Sequence, residues 1–114
     1  MDSNSRANEV PAVSAMLDEL WLKFRPQIEE RLSVLQEAAA ALAQGNLPPE
    51  LREEAHNTAH KLAGSLGTFG LDQGTALARE AENLLAPEST LDEPTARRLL
   101  AIAASISVTI LDRR

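Results

Sequence analysis

One histidine in this chain faces away from the apolar side of its predicted helix, with a glycine one turn further along. Each residue of an α-helix rotates by about 100°, which places His60 and Gly64 on the polar side with Glu53 and Asn57. The opposite side is an apolar stripe within an arc of roughly 80°, formed by Leu51, Ala55, Ala59, Leu62 and Leu66. Because a helix-interior glycine costs about 1 kcal/mol relative to alanine, we expect chemistry rather than folding to keep this pair.

The residue types on that polar side favour phosphoryl chemistry. A solvent-facing imidazole keeps one unprotonated nitrogen near neutral pH, and that nitrogen is a nucleophile able to form covalent intermediates. A rigid helix would hold His60 at a fixed height for a partner's active site. Gly64 removes a side chain that would crowd an incoming phosphoryl group, and Lys61 can bring an ammonium group to a phosphate. This set favours receiving and passing on a phosphoryl group over turning over a small substrate.

A long apolar stripe with helical spacing precedes this segment. Its members recur every three or four residues: Val13, Met16, Leu17, Leu20, Trp21, Phe24, Ile28, Leu32, Leu35, Ala39 and Leu42. Proline is tolerated in the first turn of a helix but breaks or kinks its interior. Pro26 therefore predicts a short helix to about Arg25, followed by a long one to Gln44. Trp21 and Phe24 are expected to cover one end of the core.

Gly45 is predicted to end the long helix, because glycine commonly follows a helix C-terminus. Three further helices are predicted after this turn. The helix with His60 begins near Pro49 and ends at a tight corner over residues 67–70, with Phe69 folded inward. Another helix spans residues 72–85, and Pro94 suits the first turn of the last one. Their inward residues are the apolar stripe of the His60 helix, then Leu71, Ala78, Ala81, Leu84 and Leu85, then Leu99, Ile102, Ala103, Ile106 and Ile110.

The elements and the composition together predict an all-α fold, an antiparallel four-helix bundle with a short additional N-terminal helix. With 114 residues the chain is one domain, residues 10–114, after a flexible N-terminus over residues 1–9. The net charge of −6 disfavours nucleic-acid binding, and the absence of cysteine suits the cytoplasm. No apolar run approaches the ~20 residues that cross a bilayer, so no membrane partner is expected. A single active face is consistent with a monomer.

The segment around the histidine resembles the signature of histidine-containing phosphotransfer (HPt) domains, the carriers of two-component phosphorelays. The matching residues are Ala59, His60, Leu62, Gly64, Ser65, Gly70 and Leu71. The resemblance extends over the helical layout from about Val10 to Leu111. It implies that His60 accepts a phosphoryl group from the aspartyl phosphate of a receiver domain and passes it to another receiver. It also implies no kinase activity and no cofactor in this chain, the magnesium belonging to the receiver.

One position departs from the family pattern. Many members carry lysine three residues after the histidine, where this chain has Ala63. Lys61 can substitute, because a lysine directly after the histidine also occurs in the family. Response-regulator receivers, or a hybrid histidine kinase, are the expected partners. We expect them to dock on the surface around His60 formed by Glu53, Asn57, Lys61, Gly64 and Gly67, with neighbouring apolar residues as anchors.

The same residues allow other interpretations. A non-catalytic module that docks on a receiver or kinase without phosphotransfer stays open because of Ala63. The phosphoacceptor helix of a sensor kinase is disfavoured, since Lys61 stands where an acidic residue is usual. His56 and His60 have the spacing of two metal ligands on one helix. His56, however, lies about 40° towards the core, and no cysteine or third histidine completes a site, so we predict no metal and a boundary position for His56.

Overall fold

The computed structural model describes residues 2–113, with side-chain environments from residue 12 onward. In this range the chain forms four helices and no strand: α1 (Asp2–Ala43), α2 (Pro49–Thr68), α3 (Asp72–Leu84) and α4 (Glu93–Asp112). Each helix packs on two others, α1 on α2 and α4, and α3 on α2 and α4. Short connections and this closed ring are the arrangement of an antiparallel four-helix bundle. The predicted all-α class is confirmed.

The predicted helix break at Pro26 is wrong, and no separate short N-terminal helix exists, because α1 continues through the proline. Pro26 lies on the exposed side of α1. The carbonyl that loses its amide partner belongs to Leu22, which is 68% exposed, so water can reach it. Trp21 and Ile28, before and after the proline, are both buried in the core. Packing of one continuous stripe therefore outweighs the ~3 kcal/mol that an interior proline costs.

The N-terminal part of α1 extends beyond the other helices. A helix of 42 residues is about 63 Å long, which matches the 62 Å long axis of the molecule. The core positions predicted here are therefore wrong: Val13 and Met16 are 55% and 63% exposed, and Leu20 and Phe24 are also exposed. Val13 and Met16 lie before the part of α1 that the other helices cover, and Leu20 and Phe24 lie at the edge of that part. Met1 lies outside the described residues, and flexibility of residues 1–9 stays a prediction.

The core itself follows the predicted stripes of the other three helices. Buried side chains from α2, from α3 with the residue that follows it, and from α4 meet those of α1 at the centre of the bundle: Ala55, Ala59, Leu62 and Leu66, then Ala78, Ala81 and Leu85, then Leu99, Ile102, Ala103, Ile106 and Ile110. Leu51, Leu71 and Leu84 are partly buried against this cluster. The β-branched residues of α4 are thus kept helical by packing, which overrides their weak helix propensity.

Aromatic rings close one end of the core. Trp21 is fully buried and meets the edge of Phe69, with ring centroids 5.2 Å apart. The guanidinium of Arg113 lies over both rings, 5.1 and 5.7 Å from their centroids, and donates to Asp18 at 3.1 Å. Such cation–π contacts add to the apolar burial. The predicted role of Trp21 is confirmed, and Phe69 rather than Phe24 is its partner in covering this end.

Two carboxylates fix the position of α4. Asp92 precedes the helix and accepts hydrogen bonds from the Thr95 hydroxyl and the Thr95 amide, and both bonds lower the pKa of Asp92. Arg98 forms a two-point ion pair with Glu80 of α3 at 2.5 and 2.6 Å, and hydrogen bonding from the guanidinium lowers the pKa of Glu80.

By length and composition α4 is also the one helix among residues 2–113 apolar enough to cross a membrane. Its buried side is the bundle core.

We expect Pro26→Ala to raise the free energy of unfolding by about 1–3 kcal/mol. An alanine amide restores the hydrogen bond to the Leu22 carbonyl and removes the ring's clash within the helix. Urea unfolding followed by circular dichroism measures the difference, with Gln27→Ala at the next exposed position as the control, expected within about 0.5 kcal/mol of the unsubstituted chain. A Pro26→Ala variant no more stable than that control would contradict this account of α1.

Candidate functional site

His60 projects from the outer side of α2 with 75% of its side chain exposed. One ring nitrogen nevertheless has a protein partner. Nδ1 lies 2.9 Å from Oε2 of Glu82, on the neighbouring helix α3. The carboxylate is better covered than the imidazole, with 24% of the Glu82 side chain exposed. The ring is thus tethered at one nitrogen and open to solvent at the other.

This hydrogen bond determines which nitrogen can act as a nucleophile. An ionised carboxylate can only accept, so Nδ1 of His60 carries the hydrogen when the pair is formed. In the neutral imidazole the lone pair is then left on Nε2. The carboxylate of a Ser-His-Asp triad orients its histidine by the same contact. A covalent bond at Nε2 would make the ring cationic, and the carboxylate of Glu82 would stabilise that charge.

The register of the α2–α3 hairpin places Glu82 opposite His60. The two residues lie equally far along the chain from Leu71, which follows the turn residue Gly70 with its φ of 71°. Gly74 allows close approach of α3, since a Cβ there would lie 3.0 Å from Cδ1 of Leu66. Glu82 was not among the predicted site residues, because it lies on a different helix from His60. The predicted corner at residues 67–70 would have placed position 77 opposite His60, and the pairing with Glu82 follows only from the observed centre of the hairpin at Leu71.

Side chains of α2 also hold the C-terminal end of α3. Arg52 donates to the main-chain carbonyls of Leu85 at 3.1 Å, Ser89 at 2.9 Å and Ala86. Half-buried His56 places Nδ1 2.9 Å from the carbonyl of Glu82. The last carbonyls of a helix lack partners within it, and the last turn of α3 contains no basic residue of its own. Arg52 and His56 therefore cap α3 from the neighbouring helix.

The remaining predicted site residues share the exposed side of α2 with His60. This surface, the α2 face, consists of Glu53, Asn57, His60, Lys61, Gly64 and Gly67, all of them exposed. A Cβ added at Gly64 would meet no atom within 4 Å, so nothing in the fold requires glycine there. At Gly67 it would lie 3.4 Å from Oγ1 of Thr75. The roles assigned to these residues stay predictions.

A groove with charges of both signs lies between α1 and α2 beside Lys61, with Glu30 and Glu54 among its lining residues. Lys61 and Arg31 also line this groove, and Arg31 donates to the hydroxyl of Ser65. Ala63 is only 4% exposed, so a lysine at this position would have to extend from the core to the surface to place its ammonium group in solvent. Arg31 was missed by sequence analysis because it lies on another helix. His60 thus has the carboxylate of Glu82 on its α3 side, and the exposed Lys61 follows it in the chain towards the groove with α1.

An apolar pocket lies between α1 and the C-terminal end of α2, next to the Gly64 end of the α2 face. Its lining combines Leu20, Phe24, Ile28 and Phe69 with Ser65 and Thr68. Leu20 and Phe24 are exposed, although both are apolar. Exposed apolar side chains rimmed by polar ones are typical of sites that bind other proteins.

No group of three His, Cys, Asp or Glu side chains is placed to hold a metal ion in the part of the chain whose side chains are described. His56 and His60 are not paired as ligands, because each directs Nδ1 to a different oxygen of Glu82. The expected absence of a metal and of a cofactor stays a prediction.

We expect Glu82→Ala to lower the fraction of His60 that carries its hydrogen on Nδ1, because the variant has no acceptor there. The chemical shifts of the two ring nitrogens in ¹⁵N NMR report this fraction directly. Glu82→Gln is the matched control, since its amide oxygen still accepts from Nδ1 while the charge is lost. An unchanged His60 tautomer in Glu82→Ala would mean that the contact with Glu82 does not set it.

The chain resembles known proteins over most of its length. The sequence matches the Hpt domain family over residues 19–108. It is 37% identical over 68 residues to Protein RcaC of Microchaete diplosiphon, a match that covers 60% of this chain and 10% of that protein. The chain thus spans a small part of the curated relative's length, and no solved structure matches. Since the family match covers most of its residues, the chain belongs to the Hpt domain family, the histidine phosphocarriers that work with receiver domains or histidine kinases in phosphorelays.

Proposed function

We propose that this chain accepts a phosphoryl group from the aspartyl phosphate of a receiver domain on Nε2 of His60, and passes it to another receiver. The observation that carries the proposal is the hydrogen bond from Nδ1 of His60 to Glu82 at an otherwise exposed ring. It leaves Nε2 unprotonated and open to a partner. Family membership supports phosphotransfer in general, and this geometry supports His60 as the acceptor.

The transfer step needs no proton to leave the histidine. The Nε2 lone pair attacks phosphorus, a P–N bond forms, and the P–O bond to the aspartate of the receiver breaks, which releases the aspartate as a carboxylate. The ring becomes a cation that still donates from Nδ1 to Glu82. Opposite charge at hydrogen-bonding distance stabilises that cation. Transfer to the next receiver is the reverse reaction with a different carboxylate.

Lys61 is the cation best placed to meet the charge of the phosphoryl group, since Arg31 lies in a groove that also contains Glu30 and Glu54. Lys61 follows His60 directly and is exposed. An ammonium and a guanidinium both attract phosphate oxygens, the ammonium as a flexible point charge. We propose that Lys61 takes the role of the lysine that Ala63 replaces.

The α2 face is the proposed docking surface for both receivers. Gly64 leaves room beside His60 for the partner's phosphorylated loop, and the neighbouring apolar pocket offers Leu20, Phe24 and Phe69 as anchors. The magnesium of the reaction belongs to the receiver in this proposal. The chain then acts as a cytoplasmic, monomeric phosphocarrier with no kinase activity of its own.

We expect the purified chain to gain one phosphoryl group on incubation with a phosphorylated receiver, labile to acid and stable to base. Intact mass measures the gain, and His60→Gln should abolish it while circular dichroism shows the helical fold retained. His56→Gln is the matched control, because it keeps a histidine at position 60. Labelling that survives in His60→Gln would refute the assignment. Binding across a panel of receivers without any mass gain would favour the docking module instead.

We expect Gly64→Ala to stabilise the fold and slow phosphotransfer. An alanine in the helix interior is favoured by about 1 kcal/mol, and its Cβ meets no atom of the chain. The same methyl group would displace the partner from His60, and small misplacements of reacting groups cost on the order of 10-fold or more in rate.

Urea unfolding and the rate of mass gain give the two readouts for Gly64→Ala. Ser105→Ala, at an exposed position of α4, adds no methyl group near His60 and should leave the transfer rate unchanged. Loss of stability in Gly64→Ala would show that the fold needs this glycine. An unchanged transfer rate would remove position 64 from the docking surface.

A further inference from the structure

We propose that His56 is a positioning residue of this site, which fixes the main chain of Glu82 and thereby the carboxylate that sets the tautomer of His60. The inference deepens the function proposed above and rests on it for its effect on phosphotransfer. Its central claim, the link from His56 to the His60 tautomer, concerns the unphosphorylated chain alone.

Two histidines of α2, one helical turn apart, bind the same residue of α3. Nδ1 of His56 lies 2.9 Å from the main-chain oxygen of Glu82, and Nδ1 of His60 lies 2.9 Å from its Oε2. A carbonyl oxygen only accepts, so Nδ1 of His56 carries a hydrogen as well. Glu82 is therefore held at two points, its backbone by one imidazole and its carboxylate by the other.

The backbone contact acts where α3 is least constrained by its own hydrogen bonds. Glu82 lies in the last turn of the helix, which ends at Leu84. Carbonyls of a last turn need partners from outside the helix. The neighbouring carbonyl of Asn83 accepts from the Ser89 hydroxyl at 2.7 Å, whereas that of Glu82 accepts from His56. His56 thus ties this turn to α2 at the residue whose side chain meets His60.

The position of that turn decides whether the carboxylate reaches the ring. His60 is largely exposed, so little else in its own surroundings restrains its orientation. Arg52 holds carbonyls beyond the end of the helix and none within it. Release of the Glu82 carbonyl would therefore still allow the main chain at Glu82 to shift away from α2, and the carboxylate would leave Nδ1. The hydrogen could then move to Nε2, which would no longer have a lone pair to attack phosphorus.

The test compares His56→Phe, which keeps a ring of similar size without a donor, with His56→Gln, whose amide can still donate to the carbonyl. ¹⁵N NMR of the ring nitrogens at about pH 8, where imidazoles are mainly neutral, measures the His60 tautomer. We expect His56→Phe to lower the Nδ1–H fraction and to slow phosphoryl acceptance by roughly 10-fold, the low end of what a partner that orients a functional histidine contributes in metal sites. His56→Gln should restore most of both.

Ser89→Ala is the matched control for a merely structural effect, because it removes the side-chain hydrogen bond to the adjacent carbonyl of Asn83, which also accepts from the Ala86 amide, and leaves that of Glu82 intact. It should change stability without changing the His60 tautomer. A folded His56→Phe variant with an unchanged His60 tautomer would overturn the proposal. If His56→Phe does not fold, the unsubstituted chain decides: a hydrogen on Nδ1 of His56 supports the proposal, and a hydrogen on Nε2 alone overturns it.

The two proposals can fail separately. A His60 tautomer that responds to His56 in a chain no receiver phosphorylates would sustain the positioning role and refute the phosphotransfer function. Phosphorylation of His60 at an unchanged rate in His56→Phe, with an unchanged tautomer, would support the phosphotransfer function and refute the positioning role of His56.

Discussion

The register between α2 and α3 is the constraint on which the site depends. Gly70 turns the chain with a positive φ, and the absence of a side chain at Gly74 lets α3 approach Leu66 of α2 closely. From this turn onward, each residue of α2 has a fixed neighbour on α3. His60 meets Glu82 for that reason, and the His60 imidazole owes its orientation to the backbone geometry of a turn about three helical turns away.

The sequence predicted the parts of the molecule that depend on periodicity within one helix. The buried stripe of α2, the inward residues of α4 and the exposed position of His60 all follow from a rotation of about 100° per residue. Interactions between helices were harder to foresee. Glu82 and Arg31 approach α2 from α3 and α1, and single-helix reasoning does not pair them with it.

At Pro26, core packing outweighs the tendency of proline to break a helix. The cost of a proline within a helix is real, yet the apolar residues on either side of Pro26 belong to one core, and a break would have separated Trp21 from that core. The exposed stripe of α1 before Trp21 is the opposite case. Its spacing is that of a buried helix face, but the neighbouring helices are too short to cover it, and periodicity alone does not report the length of a partner.

The burial of Trp21 gives this protein an internal optical reporter. It is the single tryptophan of a chain without tyrosine, so near-ultraviolet emission comes from one ring. That ring lies between α1 and the α2–α3 turn, under the guanidinium of Arg113, which follows α4. Its emission spectrum therefore records whether the first helix, the central hairpin and the end of the last helix are assembled together, in a part of the molecule distinct from the exposed imidazole.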